Sequence, residues 1–215
     1  MRGQITPEGI WVGKNVRMPR AAFGPGLFLD RDGTIIEDGG YLRCPVDVKI
    51  QPGAVELLLW AKERELPAVV ITNQSGIGRG YFDWKTFELV EEAVEEKFAA
   101  FGVFFALVVA CPFHAETMSV SKEKCAHWRK PGPGMLLAAS ERLNISRSAS
   151  WIIGDKSSDS EAGLAAGLRG AIWLRPEGRL SAPESSVQRR TAAFEELTCS
   201  NLLEARQLLR HKLDE

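Results

Sequence analysis

The chain is short of everything that would tie it to a membrane, a nucleic acid or an oxidising compartment. Its 215 residues include four cysteines, Cys44, Cys111, Cys125 and Cys199, too few and too scattered for a disulfide framework at this length. Formal charge is −1, from 27 basic and 28 acidic residues, so no net field draws in polyanions or anionic lipid. The longest apolar run, Val103 to Cys111, falls far short of the roughly 20 residues a spanning helix needs. The opening residues MRGQITPEGIW lack the apolar stretch of a secretory signal. No GxxxxGK[ST] occurs, which removes the P-loop kinases. We expect a cytoplasmic monomer with no membrane or nucleic-acid partner.

What is present is organised around FLDRDGT, Phe28 to Thr34. Leu27, Phe28 and Leu29 form an apolar run that ends a buried strand, and Gly33 breaks the extended chain beyond it. Asp30 and Asp32 stand between. In extended backbone residues i and i+2 share a side, so both carboxylates reach one ligand while Arg31 points elsewhere. The carboxyl end of a strand is where open α/β sheets bind ligands. A carboxylate there can attack phosphorus and form an aspartyl-phosphate while its neighbour moves the proton. An EF-hand loop is excluded, because its twelfth position counted from Asp30 is Tyr41 rather than an acid. A plain acidic turn stays open on this stretch alone.

Strand-like and helix-like segments alternate through the rest. The patterns predict strands at Ile10–Val12, Ala68–Thr72, within Phe104–Ala110, at Trp151–Ile153 and at Ala171–Leu174. Helices are predicted from Pro52 to about Glu65, Trp84 to Phe101, Gly132 to Leu143, Ser160 to Ala166 and Leu202 to Leu213, with a polar loop at Leu180–Arg190. That alternation argues a doubly wound, Rossmann-like α/β fold: a mostly parallel sheet with helices on both faces. Residues 1–24 read as an N-terminal extension and residues 25–215 as the domain. The predicted strands end in DRD, TNQ, CPFH and GDK, and a parallel sheet brings such ends to one rim. Thr72 and Asn73, Asp155 with Asp159 a turn on, and the cations Arg129 and Lys130 before Pro131 would meet there. Each of these is an ordinary turn or loop when taken singly. Gly76, Gly78 and Gly80 do not form the dinucleotide fingerprint and read as a flexible turn.

Together the four clusters resemble the haloacid dehalogenase superfamily of phosphotransferases. FLDRDGT is similar to its first motif, VVITNQSGIGRGYF to its second, WRKPGPGML to its third and IIGDKSSDSEAG to its fourth, over about Leu27 to Gly170. TNQSGI, RKPxPGML and GDKxxD resemble most the branch of the heptose bisphosphate phosphatases, relatives of the histidinol-phosphate phosphatases. The resemblance implies Asp30 as nucleophile and Asp32 as general acid and then base, with Thr72 and Lys130 on the phosphoryl oxygens. It implies magnesium on Asp30, the Asp32 carbonyl and Asp155. Asp38, Gly39, Gly40, Tyr41, Asn73, Gln74, Ser75 and Arg129 would face a small sugar-phosphate substrate. The gaps between motifs hold no large cap domain. Histidinol phosphate or a polynucleotide 3′-phosphate are the alternative substrates, and a catalytically silent binding module is the alternative class.

The same branch often carries structural zinc in its third loop, as Cys-x-His followed by Cys-x-Cys. Here the loop offers Cys111, His114, Cys125 and His127, a donor set suited to tetrahedral zinc but with altered spacing. The resemblance implies a possible zinc site, against one buried cysteine and three solvated side chains.

Overall fold

The computed structural model describes residues 2–14, 23–114, 120–175, 189–190 and 193–214. Its centre is LFL, Leu27–Leu29 (β3), a three-residue strand whose side chains are all buried. Side chains alternate across a strand, and the two cores follow that alternation. Leu27 and Leu29 face one apolar cluster and Phe28 the other.

Around β3 lie β1 (Arg2–Ile5), β2 (Trp11–Lys14), β4 (Ala68–Asn73), β5 (Leu107–Cys111), β6 (Trp151–Gly154), β7 (Gly170–Leu174), β8 (Arg189–Arg190) and β9 (Glu195–Cys199). They form one sheet in the order β1-β2-β5-β4-β3-β6-β7-β9-β8. The run from β5 to β9 is parallel throughout, while β1, β2 and β8 attach antiparallel at the edges. The helices are α1 (Ala54–Glu63), α2 (Ser75–Gly78), α3 (Trp84–Ala99), α4 (Lys122–Trp128), α5 (Gly134–Leu143), α6 (Ser157–Ala166) and α7 (Leu202–Asp214). Residues of α1, α3 and α7 cover the Leu27 face, and residues of α5 and α6 cover the Phe28 face. The doubly wound α/β fold is therefore present, and no added domain interrupts the residues between β3 and β4 or between β4 and β5.

Several elements depart from the sequence patterns for local reasons. The first predicted helix begins later than Pro52, because Gly53 adopts φ +84 and the helical turn starts after it at Ala54. The glycines after Gln74 form a helical turn, α2, closed by Arg79 N donating to Ser75 O at 2.9 Å. The long third loop contains α4, whose N-cap Ser121 Oγ accepts from Lys124 N at 3.1 Å. Strand β9 has the sequence EELTC and was not predicted, since two glutamates are a poor signal for a buried strand. Both are partnered: Glu195 with Lys212 at 3.1 Å and Glu196 with the Ser160 hydroxyl. The strand expected at Ile10–Val12 is β2, which pairs with β5 and places Trp11 edge-on to Phe87 with ring centroids 5.2 Å apart. Of the polar loop expected at Leu180–Arg190, all but residues 189–190 lies outside the described residues.

Candidate active site

From β3 the sheet order runs outward to β4 on one side and β6 on the other, so the crevice beyond β3 is the topological switch point. Asp30 emerges there, its backbone N donating to Ile153 O of β6 at 2.9 Å. Thr72 and Asn73 end β4, Asp155 follows β6, and Lys130 precedes α5. The sequence clusters DRD, TNQ and GDK therefore converge on one rim.

Lys130 ties them together. Its ammonium is buried, donates to Asp30 Oδ1 at 2.6 Å and Ile71 O at 2.7 Å, and pairs with Asp159 Oδ1 at 2.6 Å. Its backbone is held as firmly. Asn73 Nδ2 donates to Lys130 O and Lys130 N donates to Asn73 Oδ1, both at 3.1 Å, so the Asn73 amide serves the loop that presents the lysine. Ligand atoms of Asp30, Asp155 and Asp159 all lie within 4.8 Å of one another, the one such group of metal-ligating side chains among the described residues. Asp159 was noted in the sequence only as lying a turn beyond Asp155. Asp155 leaves the end of β6 before the extended N-cap Lys156, and Asp159 lies in the first turn of α6, where its Oδ2 accepts from Lys156 N at 3.1 Å.

Asp32 is fixed separately. Arg31 Nε and Nη2 donate to Asp32 Oδ2 and Oδ1 at 3.1 and 3.0 Å, Gln74 Nε2 to Oδ2 at 2.9 Å and Thr72 Oγ1 to Oδ2 at 3.3 Å. The expectation that Arg31 points away from its neighbours is corrected here. The chain turns directly after β3, so strand alternation does not reach Asp32, and the arginine curls back onto it. Gly33 makes that turn with φ +86, and a Cβ there would stand 2.6 Å from Asp155 Oδ2.

At the mouth, Asp38 Oδ1 accepts from Gly40 N at 2.9 Å and faces Lys156 at 3.7 Å. Tyr41 meets Tyr81 edge-on at 4.7 Å, both rings substantially exposed. A cavity of about 440 Å³ opens beside them among Asp38, Gly39, Tyr41, Arg43 and Lys49. Arg129 diverges from Lys130, and its Nη1 donates to Phe113 O at 3.2 Å. Ser75 opens α2 at the end of the second motif.

A HAD-hydrolase-like family model matches residues 127–197. The chain is 40% identical over 173 residues to a D-glycero-β-D-manno-heptose-1,7-bisphosphate 7-phosphatase of Mesorhizobium japonicum, covering 79% of this chain and 78% of that one. It is 35% identical to the enzyme of the same name from Escherichia coli K12, covering 75% of this chain and 84% of the relative. The chain belongs to the haloacid dehalogenase-like hydrolases. With relatives at 35–40% identity that are all phosphatases by name, it is a phosphoric monoester hydrolase. Among solved structures, a HAD-like phosphatase from Mesorhizobium loti superposes with a TM-score of 0.84 at 33% identity, over 99% of this chain and 97% of that one. A heptose 1,7-bisphosphate phosphatase from B. bronchiseptica, complexed with magnesium and phosphate, shares the fold at a TM-score of 0.69 and 22% identity, over 87% of this chain and 99% of that one.

The acidic group of this haloacid dehalogenase-like site suits a divalent cation. Asp30 and Asp159 share the one buried ammonium, Asp155 has only the half-exposed Lys156 at 3.7 Å, and Asp155 Oδ1 is buried without a hydrogen-bond partner. Burial pushes the Asp30 carboxyl up to about 7, against the pull of Lys130 and with the help of Asp159. Burial likewise raises Asp155. Burial opposes the Lys130 charge, but Asp159 and Asp30 outweigh it and hold the lysine above its ordinary value. Excess negative charge in a buried cluster is what a hard cation with oxygen ligands relieves.

The structure does not support the zinc expectation. Cys111, His114, Cys125 and His127 supply no group of three or more ligand atoms within 4.8 Å. Cys111 and Cys125 are buried in the Phe28-side core. His114 Nε2 lies 2.6 Å from Arg79 Nη2, an arrangement in which the imidazole accepts from a guanidinium. His127 packs edge-on against Trp128. Cys125 and His127 stand two residues apart on α4, so the helix points them in different directions, which spacing alone does not reveal.

Proposed function

We propose that this phosphatase is magnesium-dependent, works through an aspartyl-phosphate at Asp30, and removes the 7-phosphate of D-glycero-β-D-manno-heptose 1,7-bisphosphate. The observation that carries the mechanism is Asp30 at the switch point, paired with Lys130 at 2.6 Å and grouped with Asp155 and Asp159. The substrate is inferred from the names of the relatives and from the size of the mouth.

An Asp30 oxygen attacks phosphorus in line as the ester bond to the C7 oxygen breaks. The departing alkoxide takes a proton from Asp32. Asp32, now a carboxylate, accepts a proton from water as that water attacks the aspartyl-phosphate, which frees Asp30 and inorganic phosphate. Lys130 and Thr72 hold the equatorial oxygens, where charge accumulates in phosphoryl transfer. Asp30, the Asp32 carbonyl and Asp155 would hold magnesium, whose contribution is to neutralise developing charge on those oxygens. Arg129, with the stretch Asp38 to Tyr41, grips the remote part of the substrate.

A phosphate-release screen tests this, with heptose 1,7-bisphosphate, histidinol phosphate and 3′-phosphorylated DNA, each in magnesium and in EDTA. Magnesium-dependent release with the heptose bisphosphate fastest is expected. Faster turnover of either other substrate would move the substrate assignment there, and release undiminished in EDTA would overturn the cation requirement.

A further inference from the structure

We propose that Arg31, braced by Glu91, is a positioning residue that orients Asp32 for proton transfer to and from the reacting oxygens. The proposal rests on the reading of Asp32 as acid and base.

Arg31 is 1% exposed, and arginine is rarely so deeply buried unless paired. Its pairing is directional. Nε and Nη2 form two bonds to the two oxygens of Asp32, at 3.1 and 3.0 Å, so the planar fork sets the plane of the carboxylate. The remaining arm, Nη1, donates to Glu91 Oε2 at 2.9 Å, and the guanidinium carbon stands 5.2 Å from the Phe87 ring centroid. Glu91 is 2% exposed and belongs to α3, where it interrupts the buried stripe of Phe87, Val90, Val94 and Phe98. Asp32 itself is the more open partner, with 17% of its side chain exposed. A partly exposed carboxylate turns freely unless something rigid behind it prevents the rotation.

As a device for stability the arrangement makes little sense. A buried ion pair is often replaced by apolar side chains of similar volume with no loss of stability. An apolar pair would fill the same space between β3 and α3, but it would not offer two donors in a fixed plane. Thr72 and Gln74 contact the outer oxygen from the β4 side, so Asp32 is held from two elements at once. Proton transfer needs the donor within about 2.6–3.2 Å of its target, and a carboxylate that rotates loses that register.

The test exploits the leaving group. An alkoxide needs a proton as it departs, whereas p-nitrophenolate leaves without one. Arg31→Met, Arg31→Lys, the double variant Arg31→Met/Glu91→Leu and the control Asp32→Asn are compared with the parent, with thermal unfolding recorded for each. The substrates are the sugar phosphate hydrolysed fastest in the screen above and p-nitrophenyl phosphate. Arg31→Met should lower kcat/KM for the sugar phosphate by on the order of 100-fold, the lower end of what acid–base catalysis supplies, with a much smaller effect on the aryl ester. Arg31→Lys, which keeps charge but not the fork, should recover part of the loss. The double variant leaves no unpaired Glu91 charge, so it keeps the measurement valid should Arg31→Met not fold. Equal losses on both substrates in the folded double variant, or no loss, would overturn the role of Arg31. Asp32→Asn sparing the sugar phosphate would instead overturn the acid–base reading beneath it, and the inference with it.

Discussion

Lys130→Met is the perturbation that separates the electrostatics of the site from its packing. Methionine keeps the length of the side chain and removes the charge. In the parent, that charge is buried and shared between Asp30 and Asp159 at 2.6 Å each, with Asp155 in the same group. Without it, Asp30 and Asp159 lose their shared cation, and only Lys156, 3.7 Å from Asp155, offsets a group whose carboxylates repel by about 3.5 kcal/mol per ionised pair at 4.8 Å and an effective dielectric constant near 20. Protonation of one acid caps the penalty, so the loss should match that of breaking a buried pair, about 3–5 kcal/mol. For a chain of this size each kcal/mol moves the unfolding midpoint by about 2–4 °C, so a fall of roughly 6–20 °C in EDTA is expected. Magnesium should then raise the midpoint of the variant by more than that of the parent, because the cation meets a group with one more uncompensated charge. Turnover should fall by about 10²–10³, the scale for losing one donor to transition-state oxygens. Differential scanning calorimetry in EDTA and in magnesium reads both stabilities. A loss below about 1 kcal/mol in EDTA, or equal gains with magnesium, would refute the view that Lys130 offsets an overcharged acidic group.

Asp30→Asn should abolish phosphate release while leaving the unfolding midpoint near that of the parent or above it, since a carboxamide cannot form the phospho-enzyme; retained turnover above about a hundredth would exclude Asp30 as nucleophile. Arg129→Ala should lower kcat/KM for a sugar bisphosphate by about 1.5–3 kcal/mol, the scale of a charged hydrogen bond, with little effect on p-nitrophenyl phosphate. Equal losses would assign Arg129 to the chemistry or the fold. Elemental analysis of untagged protein should find no stoichiometric zinc, and Cys125→Ser should leave metal content unchanged; one equivalent of zinc lost in that variant would instead place a zinc site in the third loop. The acidic group also sets a pH dependence. Burial raises Asp30 from its ordinary 3.8 to about 7, so the folded state binds more protons than the unfolded one between those values. Metal-free stability should therefore be greatest near the acid end of that window and fall as pH rises towards about 7, Asp155 and Glu91 being raised in the same direction. A midpoint in EDTA that climbs across this window would contradict the sign.

The sheet was legible where its strands are continuous apolar runs, because strands buried on both faces carry no polar alternation. AVVIT, LVVA and WII are of this kind, and they form the buried strands β4, β5 and β6. Strand β9 was not legible, since its glutamates are buried only by virtue of Lys212 and Ser160, which come from other elements. The same asymmetry governs the site. Asp30, Thr72, Lys130 and Asp155 announce themselves at strand ends or beside a proline. The partners that hold them do not, because their signal lies in what they touch. Asn73 reads as a turn residue until its amide is found on the Lys130 backbone. Glu91 carried one overlooked sign, a charge set within the apolar stripe of α3. The cysteine and histidine spacing misled for the converse reason: a donor set is visible in sequence, but the helix that rotates its members apart is not.

The absence of an added domain between β3 and β4 or between β4 and β5 bears on why Asp32, the acid and base of the proposed mechanism, is held so firmly. In an enzyme that closes, binding energy from the lid can complete the catalytic geometry as the substrate enters. Here the mouth is formed by two loops, Tyr41 lying between β3 and α1 and Tyr81 between α2 and α3, 43% and 48% exposed, and neither connection holds a domain. Orientation must then be present before the substrate arrives. Asn73 fixes the backbone that presents Lys130, and Arg31, Thr72 and Gln74 fix Asp32. Both anchors run through side chains that are buried or nearly so, where rotation is opposed by close packing as well as by hydrogen bonds. On the proposed mechanism, groups oriented in advance leave the contacts at the rim to decide which phosphate ester is taken. Rim substitutions should accordingly change the choice of substrate, whereas substitutions behind Asp32 and Lys130 should change the rate on every substrate that needs the same proton or the same charge.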